Sequence, residues 1–377
     1  MKIIVLGAGM VGKAIAIDLS KNFNVTSADN NKESLKLLHQ NYLIKTKQFD
    51  ISNKRLLGEA LKEFDLAVCA VPGFMGFETL KTIIEAKKNV VDISFFPENA
   101  LELNTLAKRN GITAIVDCGV APGMDNIILG YYDTKMKVDF FECLVGGLPK
   151  VHKFPYEYKA PFSPIDVIEE YTRPARYVED GCIVTKPALT DIETVEFKEA
   201  GMLESFNTDG LRTLLYTMRH IPDMKEKTLR HPGHIEFIKA LKGSGFFDKE
   251  KINVGNTEIS PLEFSSKVLI SQWKFEHGEE EFTVMRVTIR GKDKDQRKEI
   301  IYTLYDEYDQ VTEMSSMART TGYTCTAAVN LLSEGLFKKK GVFPPELIGR
   351  HPGCFKFFLD YLKERNVVYC KKEKFLK

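Results

Sequence analysis

Three glycines within six residues, in Gly7-Ala8-Gly9-Met10-Val11-Gly12, have the spacing that cradles a pyrophosphate. Gly7 permits a tight turn, Gly9 lets the backbone approach the phosphates, and Gly12 lets a helix pack close to the preceding strand. Met10 and Val11 open that helix, whose free N–H groups and partial positive charge suit an anion. Asp29 follows about 20 residues further on, where a carboxylate accepts ribose hydroxyls and repels a 2′-phosphate. Asp29 and Asn30 are therefore expected at the ribose. No arginine follows directly, so NAD rather than NADP is the expected cofactor, with Lys32 as the one nearby cation that argues the other way.

Asp50, in Gln48-Phe49-Asp50-Ile51-Ser52, is placed to accept the adenine amino group, unless it is a solvated loop acid. Ala70-Val71-Pro72 close a strand at its carboxyl end, where open α/β sheets bind ligands. Two further strand ends bring Asp92, Ser94, Asp117 and Cys118 to the same edge. A nicotinamide ring is expected there, with Ser94 serving the cofactor and Asp92 the substrate. Hydride loss from a C–N bond requires the amine to shed its positive charge first. Asp117 is the first candidate for that proton, with helix capping or loop bracing as its alternative.

Further along, Arg212, Arg230, His231 and His234 gather around glycines and a proline. A substrate carboxylate favours a bidentate guanidinium, so Arg212 and Arg230 are candidate anchors, and His234 joins the substrate set; interdomain salt bridges are the alternative for either arginine. His231 and His234 lack further ligands in sequence, and no metal is expected. Arg319, Thr320 and Thr321 precede an apolar helical stretch, where the hydroxyls cap the helix or its start holds an anionic group, Thr321 being assigned to the substrate.

These residues need a scaffold, and the pattern of the first ~120 residues supplies one. Runs at 3–7, 24–29, 66–71, 89–94 and 113–118 are rich in β-branched residues, with helical stretches between them. Strands alternating with helices imply right-handed crossovers and a doubly wound parallel sheet, a Rossmann domain over residues 1–122. Gly119-Val120-Ala121-Pro122-Gly123 is either a rigid hinge or a plain turn. Beyond it, segments 140–147 and 282–291 alternate apolar with polar residues, as in an antiparallel sheet with one wet face. Residues 123–325 are thus expected to form an α+β substrate and dimerisation domain. Residues 326–377 are expected as a helical segment packing back on the first domain.

Fifty-three basic against fifty-two acidic side chains leave a formal charge of +1, which gives no pull toward nucleic acid or anionic lipid. The apolar opening is broken by glycines and lacks a small-residue cleavage site, and no run of about 18 uninterrupted apolar residues occurs elsewhere. A cytoplasmic enzyme with a small-molecule substrate is expected. Seven cysteines, an odd number without a CxxC pair, read mostly as buried thiols.

Taken together, Gly7–Gly12, Ala70-Val71-Pro72, residues 91–94, 119–126, 146–149, 228–234 and 318–323 occur in the order found in a known family. The chain resembles the saccharopine dehydrogenases, most closely the L-lysine 6-dehydrogenase-type members. The resemblance implies a Rossmann domain completed by C-terminal residues, a middle domain that covers the active site and forms a homodimer, and NAD-dependent release of the lysine ε-amine as ammonia. One departure from the glutamate-forming saccharopine enzymes bears on substrate. Their Pro-Asn-Arg-Asp-Ser-like segment is represented here by Asn207-Thr208-Asp209-Gly210, without its arginine. A smaller amino acid is thereby favoured over saccharopine. A saccharopine or carboxynorspermidine-like reductase and a non-catalytic NAD-binding regulatory protein are the competing readings.

Overall fold

The computed structural model describes residues 1–276 and 278–376. Its first sheet contains β1 (Lys2–Leu6), β2 (Asn24–Asp29), β3 (Lys45–Gln48), β4 (Leu66–Cys69), β5 (Asn89–Asp92) and β6 (Thr113–Ile115). They lie in the order β3-β2-β1-β4-β5-β6, every pair parallel. Alternate residues face opposite layers: Ile3 and Val5 join one core cluster, Ile4 and Leu6 the other. A strand buried on both faces must be apolar throughout, which is why these strands are visible as unbroken runs. β3 is not visible in that way, because Lys-Thr-Lys-Gln is polar and the strand sits at the sheet edge.

The second sheet is built on β7 (Lys137–Pro149), which leaves the first domain through the helix Met124–Asp133. A hairpin of β8 (Ala175–Glu179) and β9 (Cys182–Lys186) follows, then β10 (Glu193–Phe197), β11 (Gly201–Asn207) and β12 (Asp223–Arg230). A small separate hairpin, β13 (Ile252–Val254) and β14 (Thr257–Ile259), precedes the long β15 (Glu281–Asp293) and β16 (Gln296–Glu307). The path is β10-β11-β12-β7-β15-β16, antiparallel except for β12 with β7. The molecule is therefore α/β, with a Rossmann-type parallel sheet and a largely antiparallel second sheet.

The carboxyl-terminal part does not divide at residue 325, as the sequence pattern suggested. Helix Ser316–Ser333 runs through that point and packs on the helix Met10–Ser20. The contact is closed by a buried polar cluster, in which Asp18 accepts hydrogen bonds from Thr326 Oγ1 (2.7 Å), Tyr361 OH (2.8 Å) and Arg365 Nε (2.9 Å). β17 (Gly341–Phe343) then pairs parallel with β6 and extends the Rossmann sheet. The last strand, β18 (Tyr369–Leu376), goes the other way and pairs with β16. The final residues thus belong to both domains and tie them together. Among the described residues, no helix is long and apolar enough to cross a membrane.

Candidate active site

The glycine loop joins β1 to the helix Met10–Ser20. Gly7 has φ +106°, and a Cβ there would come within 2.3 Å of the Ala70 carbonyl oxygen. A Cβ on Gly12 would come within 2.1 Å of the Gly7 oxygen, whereas Gly9 faces open space and caps the helix with no side chain. The first N–H groups of the helix are thus left for a ligand, and backbone can approach it. Asp29, at the end of β2, braces the same loop: Oδ2 accepts the Ala8 N–H at 2.6 Å and Oδ1 the Asn31 N–H at 2.8 Å. These features fit a dinucleotide.

One cleft of about 780 Å³ runs from this loop to the second domain. Gly7, Gly9, Met10, Val11, Gly12, Asp29, Asn30, Asp50, Ala70, Val71, Pro72 and Ser94 all line it. Asp50 accepts the Ser52 N–H (2.9 Å) and hydroxyl (2.7 Å), and these bonds hold its carboxyl below the usual range. Pro72 starts the helix Gly73–Glu85, whose first N–H is directed at Asp166 Oδ1 of the second domain, 3.3 Å away. Burial pushes the Asp166 carboxyl up to about 6.

The substrate half departs from expectation in several places. Asp117 lines the cleft, but its Oδ1 is held by Arg212 through Nη2 (2.7 Å) and Nε (2.8 Å). Arg212 also donates to the Phe96 carbonyl and lies over the rings of Phe95 and Phe96, so it is a structural counter-ion rather than a carboxylate anchor. Asp117 is thus tied into an ion pair rather than left free in the cleft. Arg230 does line the cleft, but its guanidinium is engaged by Glu170 Oε2 (2.7 Å), Tyr171 OH (3.1 Å) and the Leu229 carbonyl (2.9 Å).

Asp92 and His234 lie beneath the surface and do not reach the cleft. Asp92 accepts the Ser94 N–H at 2.5 Å, and burial raises its carboxyl to about 7. His234 is enclosed, with Nε2 against Tyr171 OH (2.8 Å) and Nδ1 against the Tyr156 carbonyl (2.6 Å). Burial and the nearby Arg230 depress its pKa to about 3. His231 meets the Pro149 carbonyl at 2.9 Å and stacks on His152. Thr321 lines the cleft, yet it is not at a helix start: the helix begins at Ser316, capped by Ser315, and the Thr320 hydroxyl bonds back to the Ser316 carbonyl. Cys69, Cys118, Cys143, Cys325 and Cys354 are buried free thiols, while Cys182 and Cys370 are exposed.

Five charged cleft residues went unrecognised in the sequence: Asp166, Glu169, Glu170, Arg173 and Glu226. Arg173 pairs with Glu169 through Nη2 and lies over the Phe95 ring, which leaves Nη1 buried without a partner. Glu226 is on β12, between β7 and β11. The signal was there: Lys225-Glu226-Lys227 lies in a run that pairs on both sides, and charges in a central strand are buried. Burial, together with the charges of Asp125, Glu170 and Asp209, pushes Glu226 well above the usual carboxyl range, against a smaller opposing effect of Arg212.

Comparison with known proteins agrees with this architecture. Residues 3–115 match the saccharopine dehydrogenase NADP binding domain, and residues 119–368 match the saccharopine dehydrogenase C-terminal domain. The chain is 24% identical over 277 residues to mouse mitochondrial alpha-aminoadipic semialdehyde synthase, covering 69% of this chain but only 30% of that longer protein. It is 24% identical over 443 residues to the Saccharomyces cerevisiae saccharopine dehydrogenase [NADP(+), L-glutamate-forming], covering 97% of this chain and 99% of the yeast one. A solved structure of apo saccharopine dehydrogenase (L-Glu forming) from Saccharomyces cerevisiae superposes over 100% of both chains, with a TM-score of 0.79 at 21% identity. With both domains matched in order, the chain belongs to the saccharopine dehydrogenase family.

Proposed function

We propose that this protein is an NAD-dependent amino-acid dehydrogenase that oxidises a C–N bond, releasing the ε-amine of L-lysine as ammonia. The observation that carries the reading is the charge of the substrate half. Asp117, Asp166, Glu169, Glu170, Asp209 and Glu226 line it, against Arg173 and Arg230. Arg230 is already engaged, so Arg173 Nη1 is left to receive a carboxylate. A substrate with one carboxylate and a distant ammonium suits that balance; the three carboxylates of saccharopine would need more unpaired cations.

NAD is favoured by Asp29, whose carboxylate faces the cleft where a 2′-phosphate would be repelled. The uncapped helix at Gly9 would hold the pyrophosphate, Asp29 the ribose, and Asp50 with Ser52 the adenine end. When bound there, NAD would supply the hydride acceptor for the amine-bearing carbon. The protein's part is to orient that carbon, exclude bulk water and manage protons on the nitrogen. A homodimer through the second domain belongs to the same proposal, since Ile252, Val254, Phe264 and Val268 are exposed there.

Incubating the protein with NAD or NADP and a panel of amines, including L-lysine and saccharopine, tests the reading by the absorbance of reduced cofactor. L-lysine with NAD is expected to give the highest kcat/KM. Saccharopine oxidation with NADP is the second reading, favoured by the end-to-end match to the yeast enzyme. Glutamate among the products would identify it.

A further inference from the structure

We infer that Glu226 is the group that receives the reacting amine: its carboxyl, set against Gly210 on the cleft wall, binds the substrate nitrogen and takes its proton. The inference rests on the amine-oxidising reading above and adds the residue that recognises the amine. Among the described residues, the other acids of the substrate half are already matched. Asp117 is paired with Arg212, Glu169 with Arg173, Glu170 with Arg230 and Asp209 with Arg176, while Asp166 takes the Gly73 N–H. Glu226 is 4% exposed, lines the cleft, and has no hydrogen-bond partner at Oε2. Asp125 and Cys143 lie beside it, the three side-chain atoms mutually within 4.8 Å, and neither supplies a positive charge.

Space is kept for this carboxyl. A Cβ on Gly210 would lie 2.0 Å from Glu226 Oε1, so glycine at that position lets the acid reach the wall. Thr208 and Thr228 line the same wall, with hydroxyls 3.0 Å apart. The corner therefore offers a carboxyl and hydroxyls, which suit an N–H donor.

Burial and the neighbouring acids, outweighing Arg212, shift this carboxyl toward its protonated form. An arriving ammonium supplies the countercharge, so binding releases the Glu226 proton to solvent. The carboxylate then accepts a proton from the ammonium: one N–H bond breaks and one O–H bond forms. The freed nitrogen lone pair forms C=N as hydride leaves carbon for the nicotinamide, water adds, and ammonia departs. Overall, one ammonium substrate, one NAD and one water give one aldehyde, one ammonium ion, one NADH and one proton.

The test is calorimetry on the protein–NADH complex with L-lysine and with L-norleucine, which lacks the ε-amine. Wild type is expected to bind lysine about 10- to 100-fold more tightly, the range of a charged hydrogen bond, with a buffer-dependent heat that reports proton release. Glu226→Gln should lose both the preference and the release while its NADH affinity is kept. Gly210→Ala, which pushes the carboxyl aside, should do the same and decides the matter if Glu226→Gln fails to fold. Absence of a lysine preference in wild type, or its persistence in the folded variant, overturns the inference. A wild type that prefers lysine and releases a proton, yet forms no NADH from it, overturns the lysine-oxidation reading and leaves the role of Glu226 standing.

Discussion

Asp117 and Arg212 meet across the domain boundary with Nη2 2.7 Å from Oδ1, and their side chains are 1% and 5% exposed. Both residues have positive φ, +52° for Asp117 and +45° for Arg212, in the left-handed region that non-glycine residues seldom adopt. The pair thus holds two unfavourable backbone conformations as well as the edge of the cleft. Removing one partner strands a buried charge. Arg212→Ala is expected to destabilise the protein by about 3–5 kcal/mol, read by denaturant unfolding. A variant of wild-type stability with only a raised KM would return Arg212 to the substrate.

Arg173 makes the opposite prediction. Its Nη1 has no partner within the protein and its Nη2 pairs with Glu169, a side chain 46% exposed, so Arg173→Gln should disturb the fold little. If the substrate carboxylate sits there, KM for L-lysine rises by about 10- to 100-fold with kcat nearly unchanged. An unchanged KM would place the carboxylate elsewhere.

Asp29 couples cofactor choice to the shape of the glycine loop, because its carboxylate holds the Ala8 N–H. Asp29→Arg is expected to weaken NAD and to tolerate NADP better, with a small loss of stability from the broken bond, about 1.5–3 kcal/mol. Fluorescence titration of both reduced dinucleotides measures the preference, and an unaltered ratio would remove the ribose contact.

The buried imidazole of His234 predicts a pH dependence of stability. Its folded pKa, about 3, lies below the ordinary value of 6.5, so the unfolded chain binds the extra proton between those limits. Stability from this group is present above pH 6.5 and is lost as pH falls through that window, by at most about 1.4 kcal/mol per pH unit. His234→Gln should be less stable than wild type at pH 7, with the gap narrowing toward pH 4. Parallel unfolding curves over this range would show that the histidine does not titrate as described.

How much was visible beforehand differs between the two halves of the cleft. The glycine loop, Asp29, Asp50, Ala70–Pro72 and Ser94 were legible as residues that line one cleft, because each is set by a local rule: a turn, a helix start or a strand end in a parallel sheet. The substrate half is built from long-range pairings. Arg212 looked like a free anchor because nothing in the sequence near it shows that Asp117, 95 residues away, would claim it. Arg230 and His234 were likewise taken up by Glu170, Tyr171 and Tyr156.

By itself, the amino-acid order determined a dinucleotide cradle, a change from buried parallel strands to alternating ones near residue 122, and the family. Tertiary structure decided which charges remain unpaired. It left Glu226 and Arg173 on the cleft wall, each with one unpartnered atom, sent β17 to the Rossmann sheet and β18 to the other. The physical reason is that turns and periodicity are local properties of a chain. Whether a buried charge is neutralised depends on which distant residue the fold brings against it.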